Sequence, residues 1–400
     1  TRTTFDLSLF LLLIAFAVST YFGANRIQSL MNGLAPLSVG ILLYFVVTNL
    51  LDPLEEADYR IISRVFVASA TLLGILAFFS YFNLNIFPFD FAKNRFFTPA
   101  GSDLTLILLL SIAAPLSLGA LLHENLSFKS PWYYIFSANL LFFGLLIVLQ
   151  TSVLGALAAI PTLAMLFLTD KENLSRQRSL LSSIGLALFL VIILFYLPLN
   201  FNKRFVDFRG SFPRAVTLDM KSSWIVSIQT IRDYPIFGSG PATYLADFVR
   251  YRPAFLNYTP FWGQRFSAAA GEPYQILATL GILGFLIFLF FVWKLIVTII
   301  KLLTSDSGKS DGIAFSIMAF LIALLFSVPS ASLRAVFFIL LAVYTLKSLP
   351  AVRKQYNILP VIPLILIVIV NVSLGYLAYT MVLAELSFKR AIDAVGANDT

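Results

Sequence analysis

The stretch Ile282-Leu283-Gly284-Phe285-Leu286-Ile287-Phe288-Leu289-Phe290-Phe291-Val292-Trp293-Lys294-Leu295-Ile296-Val297-Thr298-Ile299-Ile300 is apolar on every helical face apart from Lys294 and Thr298. A run of about twenty such residues matches the thickness of a bilayer's hydrocarbon core when helical. It does not match a membrane β-barrel, whose strands are segments of about ten residues with alternating polar positions. One stretch therefore points to helices in lipid.

Similar runs recur along the 400 residues. They place spans near Leu7 to Phe22, Leu34 to Leu51, Ile62 to Phe82, Leu104 to Leu122, Trp132 to Leu149 and Val153 to Leu168. Further spans are read near Leu180 to Leu199, Tyr274 to Ile300, Ile313 to Val328, Ala335 to Leu346 and Leu359 to Leu383. The fold class is accordingly an all-α polytopic transmembrane bundle of about 11 spans, with a long helical cap loop on its outer side. The weakest of these spans are the stretch from Trp132 to Leu168 and the short pair flanking Arg334, where a re-entrant hairpin is the alternative. The organisation is an N-terminal bundle at residues 1–199, a cap at 200–273, transmembrane helices at 274–384 and the start of an outer extension at 385–400.

Composition agrees. Hydrophobic residues make up 59% and charged residues 12%, where soluble domains carry roughly a quarter charged. There is no cysteine and one histidine, His123, which removes disulfides and thiolate catalysis and disfavours a histidine metal site. His123, beside Glu124, reads as interfacial. The net charge of +8 is read as topology and contact with anionic lipid, not as a nucleic-acid partner.

Basic residues also orient the chain. With a cytoplasmic N-terminus, the short inner loops hold Arg2, Arg60, Arg64, Lys129, Lys171, Arg176, Arg178, Lys294, Lys301, Lys309, Lys347, Arg353 and Lys354, whereas the short outer loops hold only Arg26, Lys93, Arg95 and Arg334. The positive-inside rule then puts the loop from Asn200 to Pro273, and the C-terminus, outside. No cleavable signal peptide is visible, and a first span acting as an anchor needs none. Both chain ends, at Thr1 and beyond Ala391, read as cut.

The loop carries nine basic residues against five acidic ones, interleaved with aromatics. Ser222 to Arg232 reads as one helix, Pro235 to Pro241 as a turn with two flexible glycines, and Ala242 to Arg250 as a second helix. Asp219 is placed to cap the first. Arginine forks match phosphate oxygens and aromatic faces stack on sugars, so an amphiphile with an anionic, glycan-bearing head fits this inventory. Headgroup contact alone also produces such loops. No nucleotide-binding Gly-x-x-x-x-Gly-Lys-Ser/Thr loop, no Asp-x-Asp pair and no outer histidine for a Ser/His relay is present. Coupled transport would call for ionisable groups within the spans, where Gln150 and Asn371 are the main polar exceptions.

Trp224, the stretch Ile231-Arg232-Asp233-Tyr234-Pro235-Ile236-Phe237-Gly238-Ser239-Gly240-Pro241 and the later Tyr274-Gln275-Ile276-Leu277-Ala278-Thr279-Leu280-Gly281-Ile282-Leu283-Gly284 together resemble the O-antigen ligase and O-antigen polymerase family of bacterial membrane glycosyltransferases. The resemblance covers roughly Met220 to Phe285. It implies a multi-pass protein of the bacterial inner membrane that transfers or polymerises a glycan from an undecaprenyl-diphosphate carrier on the outer leaflet. The acceptor would be a sugar or glycolipid, and no metal, nucleotide or other cofactor would take part. The chain departs from the family pattern at three places. Ser152-Val153 stands where a Ser-Arg pair is common, Ala270-Gly271 stands where a His-Asn pair is common, and Lys221 is the nearest cation to an arginine expected before the loop Trp.

On this reading Glu272 replaces the family's histidine as the general base that takes the acceptor proton, since a carboxylate desolvated between cap and membrane becomes competent for it. A helix-start acid is the structural alternative. Arg265 and Lys221 are expected at the diphosphate, with Arg250, Arg252, Arg334 and Trp262 as further substrate-binding candidates. For Arg250 and Arg252, charge stabilisation of a helix C-terminus is the alternative. Arg334 starts a helix whose dipole opposes its charge, so an anionic partner is expected there. Phe388-Lys389-Arg390-Ala391-Ile392-Asp393 resembles the opening of a tetratricopeptide-type helix, which implies a protein partner through an outer repeat extension. The second functional class is a non-catalytic component that binds or exports a lipid-linked glycan. A third, acid-dependent multispan glycosyltransferase would call for a carboxylate in the first outer loop, and Gly23 to Gly33 contains none.

Overall fold

The structure is a computed structural model, which describes residues 3–50, 56–82, 97–124, 129–150, 153–168, 216–303 and 312–348, with isolated positions elsewhere. Every regular element among the described residues is helical. Helix α1 is Asp6–Phe22, and α2, Ala35–Leu50, is entered through a short turn at Arg26–Gln28 and a π-helical turn at Ser29–Leu34. Then come α3 (Glu56–Tyr81), α4 (Asp103–His123), α5 (Pro131–Gln150), α6 (Val153–Ala158) and α7 (Ile160–Leu168). The cap contributes α8 (Met220–Asp233), α9 (Tyr244–Arg250) and a 3₁₀ turn at Ala254–Tyr258, followed by α10 (Glu272–Leu303), α11 (Gly312–Phe326) and α12 (Ala331–Ser348).

Among the described residues, five helical stretches are long and apolar enough to cross a membrane: Arg26–Asn49, Asp58–Tyr81, Asp103–Leu122, Pro131–Leu149 and Glu272–Lys301. They are consistent with a membrane protein. The stretches Asp6–Phe22, Leu154–Leu168 and Gly312–Phe326 are apolar but shorter. The expected spans near Leu180 to Leu199 and Leu359 to Leu383 lie outside the described residues or largely so, as does the extension at 385–400.

Helix α4 is the hub. Of its apolar window 83% is buried, against 28% for the α3 window, because α3, α5 and α11 all pack on it. Ser102 caps its start by accepting the amide of Thr105 at 3.1 Å. Elsewhere α12 packs on α2, and α1 and α8 pack on α10. At the end away from the cap, Arg64 pairs with Glu124 and lies over the Trp132 ring.

The cap has a small core of its own, in which Leu218, Val226, Tyr244, Phe248, Leu256 and Phe266 close around Ala278 of α10. Phe248 meets Phe266 edge-on at 5.4 Å. Complete burial of a side chain such as Phe248 contributes roughly 1.5–3 kcal/mol, so this core fixes α8 and α9 to the first turns of α10. Asp219 caps α8 through the Ser222 amide at 2.9 Å. Helix α9 starts at Tyr244, two residues later than read from sequence, because Ala242 adopts a left-handed φ of 62° that breaks helical continuity.

Candidate functional site

The glycine-rich turn meets the glycine-bearing helix directly. Helix α10 is interrupted at Gly281, whose φ of 68° and ψ of −168° lie outside helical geometry. An interruption frees carbonyls before it and amides after it, and neither can stay unpaired at membrane depth. Residues 235–240 satisfy both sets. The amides of Ser239 and Gly240 donate to the carbonyls of Ala278 and Thr279 at 3.2 and 2.9 Å, and the carbonyls of Pro235 and Ile236 accept from the amides of Ile282 and Leu283 at 3.0 and 3.3 Å. Ser19 Oγ of α1 donates to the Thr279 carbonyl as well, at 2.8 Å. With these groups spoken for, Gly238-Ser239-Gly240 is a clamp on a broken helix, in keeping with the turn read from its sequence.

The loop from Gly23 to Gly33 closes over the clamp. Ala24 N donates to the Ser239 carbonyl at 2.8 Å, and Gln28 Nε2 donates to the Ala242 carbonyl at 2.9 Å. Beneath, Ser239 Oγ donates to Asp247 Oδ2 at 2.6 Å and shares a hydrogen bond with Thr243 Oγ1 at 2.7 Å. Burial pushes the Asp247 carboxyl up to about 6, the Ser239 hydrogen bond and the nearby Arg250 charge opposing only part of that rise.

Between clamp, α1 and α12 lies a cavity of about 310 Å³ lined by Gln28, Asn32, Ser267, Glu272, Gln275 and Arg334 among others. Glu272 is the first residue of α10, and Arg334 lies in the first turn of α12. Arg334 Nη2 donates to both carboxylate oxygens of Glu272, at 3.0 and 3.2 Å. The side chains are 19% and 7% exposed respectively, so the pair is largely withdrawn from water. It answers the anionic partner expected for Arg334 with a residue of the chain itself. The same two residues, with Phe16 and Ile276, also border a narrow apolar cleft of about 40 Å³ that runs between Leu12, Leu37, Phe288 and Phe337. Phe337 stacks on Phe320 at 4.2 Å along it. The ion pair thus stands where a polar cavity meets an apolar slot.

The remaining candidates divide. Exposed Arg265 borders a second cavity of about 260 Å³ with Thr217, Gln264 and Ser327, which adjoins the first across Ser267, Ala268 and Val328. Lys221 borders neither of these cavities; its Nζ lies 5.0 Å from the Phe255 ring centre. Arg250 pairs with Asp233 at 2.8 Å, and Tyr251 also donates to Asp233. Arg252 donates to the carbonyls of Phe261 and Trp262, folding the segment that carries the exposed Trp262 indole. Arg250 and Arg252 are therefore engaged in building the cap. Among the described residues no group of acidic, histidine or cysteine side chains could hold a metal ion.

The sequence alone does not mark Asn32, Gln28 and Gln275 as site residues. Gln275 Oε1 accepts from the Ala269 amide at 2.9 Å, which orders the segment between the cavities. The signals were slight: Asn25 as the cap of a turn, accepting from Gln28 N at 3.1 Å, and glycines at both ends of the loop. No family model matches the chain, and no curated protein matches it.

Proposed function

We propose that the protein is a membrane glycosyltransferase of the O-antigen ligase and polymerase type, acting on a polyprenyl-diphosphate-linked glycan at the cap end of a bundle of about eleven spans in a bacterial inner membrane. The observation that carries this reading is the position of Arg334 and Glu272 at the junction of a polar cavity and an apolar slot. An amphiphile with an anionic head requires that junction, with its head beside a cation and its chain among aliphatic and phenyl groups. The slot is narrow, so a chain enters by parting the Phe side chains.

In this proposal Arg334 holds the diphosphate and stabilises the charge that develops on it as the glycosidic bond breaks. Glu272 takes the proton of the acceptor hydroxyl as that oxygen bonds to the anomeric carbon. Arg265 reaches the diphosphate from the adjoining cavity, which also receives the acceptor, next to Ser267. Trp262, exposed on the same segment, offers a face for a sugar ring.

The test supplies purified protein with a lipid-diphosphate oligosaccharide and candidate acceptors and follows loss of carrier-linked glycan. Binding without any transfer, across a panel of acceptors, would reject the enzyme reading. One observation favours the second reading, a binding or export component: both oxygens of Glu272 are engaged by Arg334, so no free base stands in the cavity.

A further inference from the structure

Glu272 and Arg334 are the charged side chains lining the larger cavity among the described residues; Gln28, Asn32 and Gln275 contribute neutral polar groups. Helices α10 and α12 both begin at the pair, and each helix N-terminus acts as roughly half a positive charge. The Arg334 and Glu272 charges cancel, so the two helix starts leave the spot positive. Both contacts to Glu272 come from Nη2 alone, and the other guanidinium N–H groups make no further hydrogen bond among the described residues. Among the described residues the carboxylate is thus the one anion lining the cavity, in a place arranged for more negative charge than one carboxylate supplies.

We infer that Glu272 is a displaceable occupant of an anion site, and that a diphosphate head competes it off Arg334 on binding. This rests on the proposed function and deepens it, since the same exchange turns Glu272 into a base only when the donor is in place. While Arg334 holds it, the guanidinium charge opposes protonation of the buried carboxylate. Once Arg334 turns to the diphosphate, the carboxylate is left buried without its cation, and its proton affinity rises. With an acceptor present the proton comes from the acceptor hydroxyl, and without one it comes from water. An empty site is thereby kept from activating water against a carrier that is not yet seated.

The test is calorimetry on the full chain in nanodiscs at pH 8, with farnesyl diphosphate as probe and no acceptor, repeated in two buffers of different ionisation heat. The expected result is proton uptake by the wild type on binding, and binding by Glu272→Gln that is about tenfold tighter or more with no uptake. Arg334→Gln should weaken binding by about a hundredfold or more. Binding of the probe without proton uptake in the wild type, or without tightening in Glu272→Gln, overturns the latch while leaving the proposed function standing. The uptake is read on the wild type, so the latch is testable even if the variant does not fold. No binding by either protein overturns the site and the proposed function together. A parallel arm with inorganic pyrophosphate separates the two sources of a diphosphate: affinity equal to that of farnesyl diphosphate overturns the lipid assignment.

Discussion

A Cβ built on Gly281 would stand 2.6 Å from the amide nitrogen of Gly238, and one built on Gly238 would stand 2.5 Å from the amide nitrogen of Gly281. Both residues also have left-handed φ values, 68° and 72°. Each position thus excludes a side chain twice, once by backbone conformation and once by the backbone opposite.

Alanine at either position should therefore cost roughly 1–2 kcal/mol for the left-handed conformation, with the overlap adding to it. Gly281→Ala and Gly238→Ala are expected to lower the thermal midpoint in detergent by several degrees or to prevent folding. Gly263→Ala is the control, since nothing lies within 4 Å of a Cβ there. Equal midpoints for all three variants would mean that the clamp contributes little to stability.

The Asp247 carboxyl, pushed up to about 6 from the usual carboxylate range by burial, makes the cap sensitive to pH with a definite sign. The folded state binds more protons than the unfolded state between about pH 4 and pH 6, so stability falls as pH rises through that window and is level above it. That rise corresponds to about 3 kcal/mol at most. Asp247→Asn keeps an acceptor for Ser239 and should flatten the profile while raising stability at pH 7.5. Melting curves between pH 4 and pH 8 check this, and an unchanged slope in Asp247→Asn would assign the effect elsewhere.

For binding of a diphosphate lipid, the arrangement ranks the cations. Arg334→Ala should lose most, Arg265→Ala should lose on the order of 1.5–3 kcal/mol as for a charged hydrogen bond, and Lys221→Ala, whose ammonium lies over Phe255, should stay within about threefold of wild type. Equal losses at Arg265 and Lys221 would return both to the joint role expected from sequence.

Glu272→Gln preserves shape and should cut transfer by roughly 10² to 10⁴-fold while carrier binding persists. Full transfer with normal expression would leave Glu272 as a helix-start acid paired with Arg334.

Sidedness is checked by chemistry in cells. The chain has no cysteine, so single cysteines at Ser211 and at exposed Asn257 should react with impermeant maleimide in intact cells. Protection of both until lysis would place the cap in the cytoplasm.

What was legible in the sequence was local. Apolar runs marked the described helices closely, as with Leu104 to Leu122 inside Asp103–His123, because lipid or a packed core rewards uninterrupted apolarity. Asp219 as a cap and Pro235 to Pro241 as a turn rest on near-neighbour chemistry. Partners far along the chain were not legible. Glu272 and Arg334 are 62 positions apart, and helices that are apolar all round carry no stripe to say which neighbour each faces. The break at Gly281 was hidden for a related reason, since a glycine inside an apolar run is tolerated in membrane helices and rarely marks an interruption by itself.

Hydropathy divides this chain at residue 273, but connectivity and mechanics disagree there. Four main-chain hydrogen bonds cross from residues 235–240 to residues 278–283. Half of the broken turn of α10 at Gly281 is in effect supplied by a segment made some forty residues earlier, a separation on the order of one hairpin. A protein split at 273 into two coexpressed halves must rebuild that turn between separate molecules, with each unpaired backbone group in lipid costing several kcal/mol until it does. A split in 304–311 leaves both sides of the turn on one polypeptide.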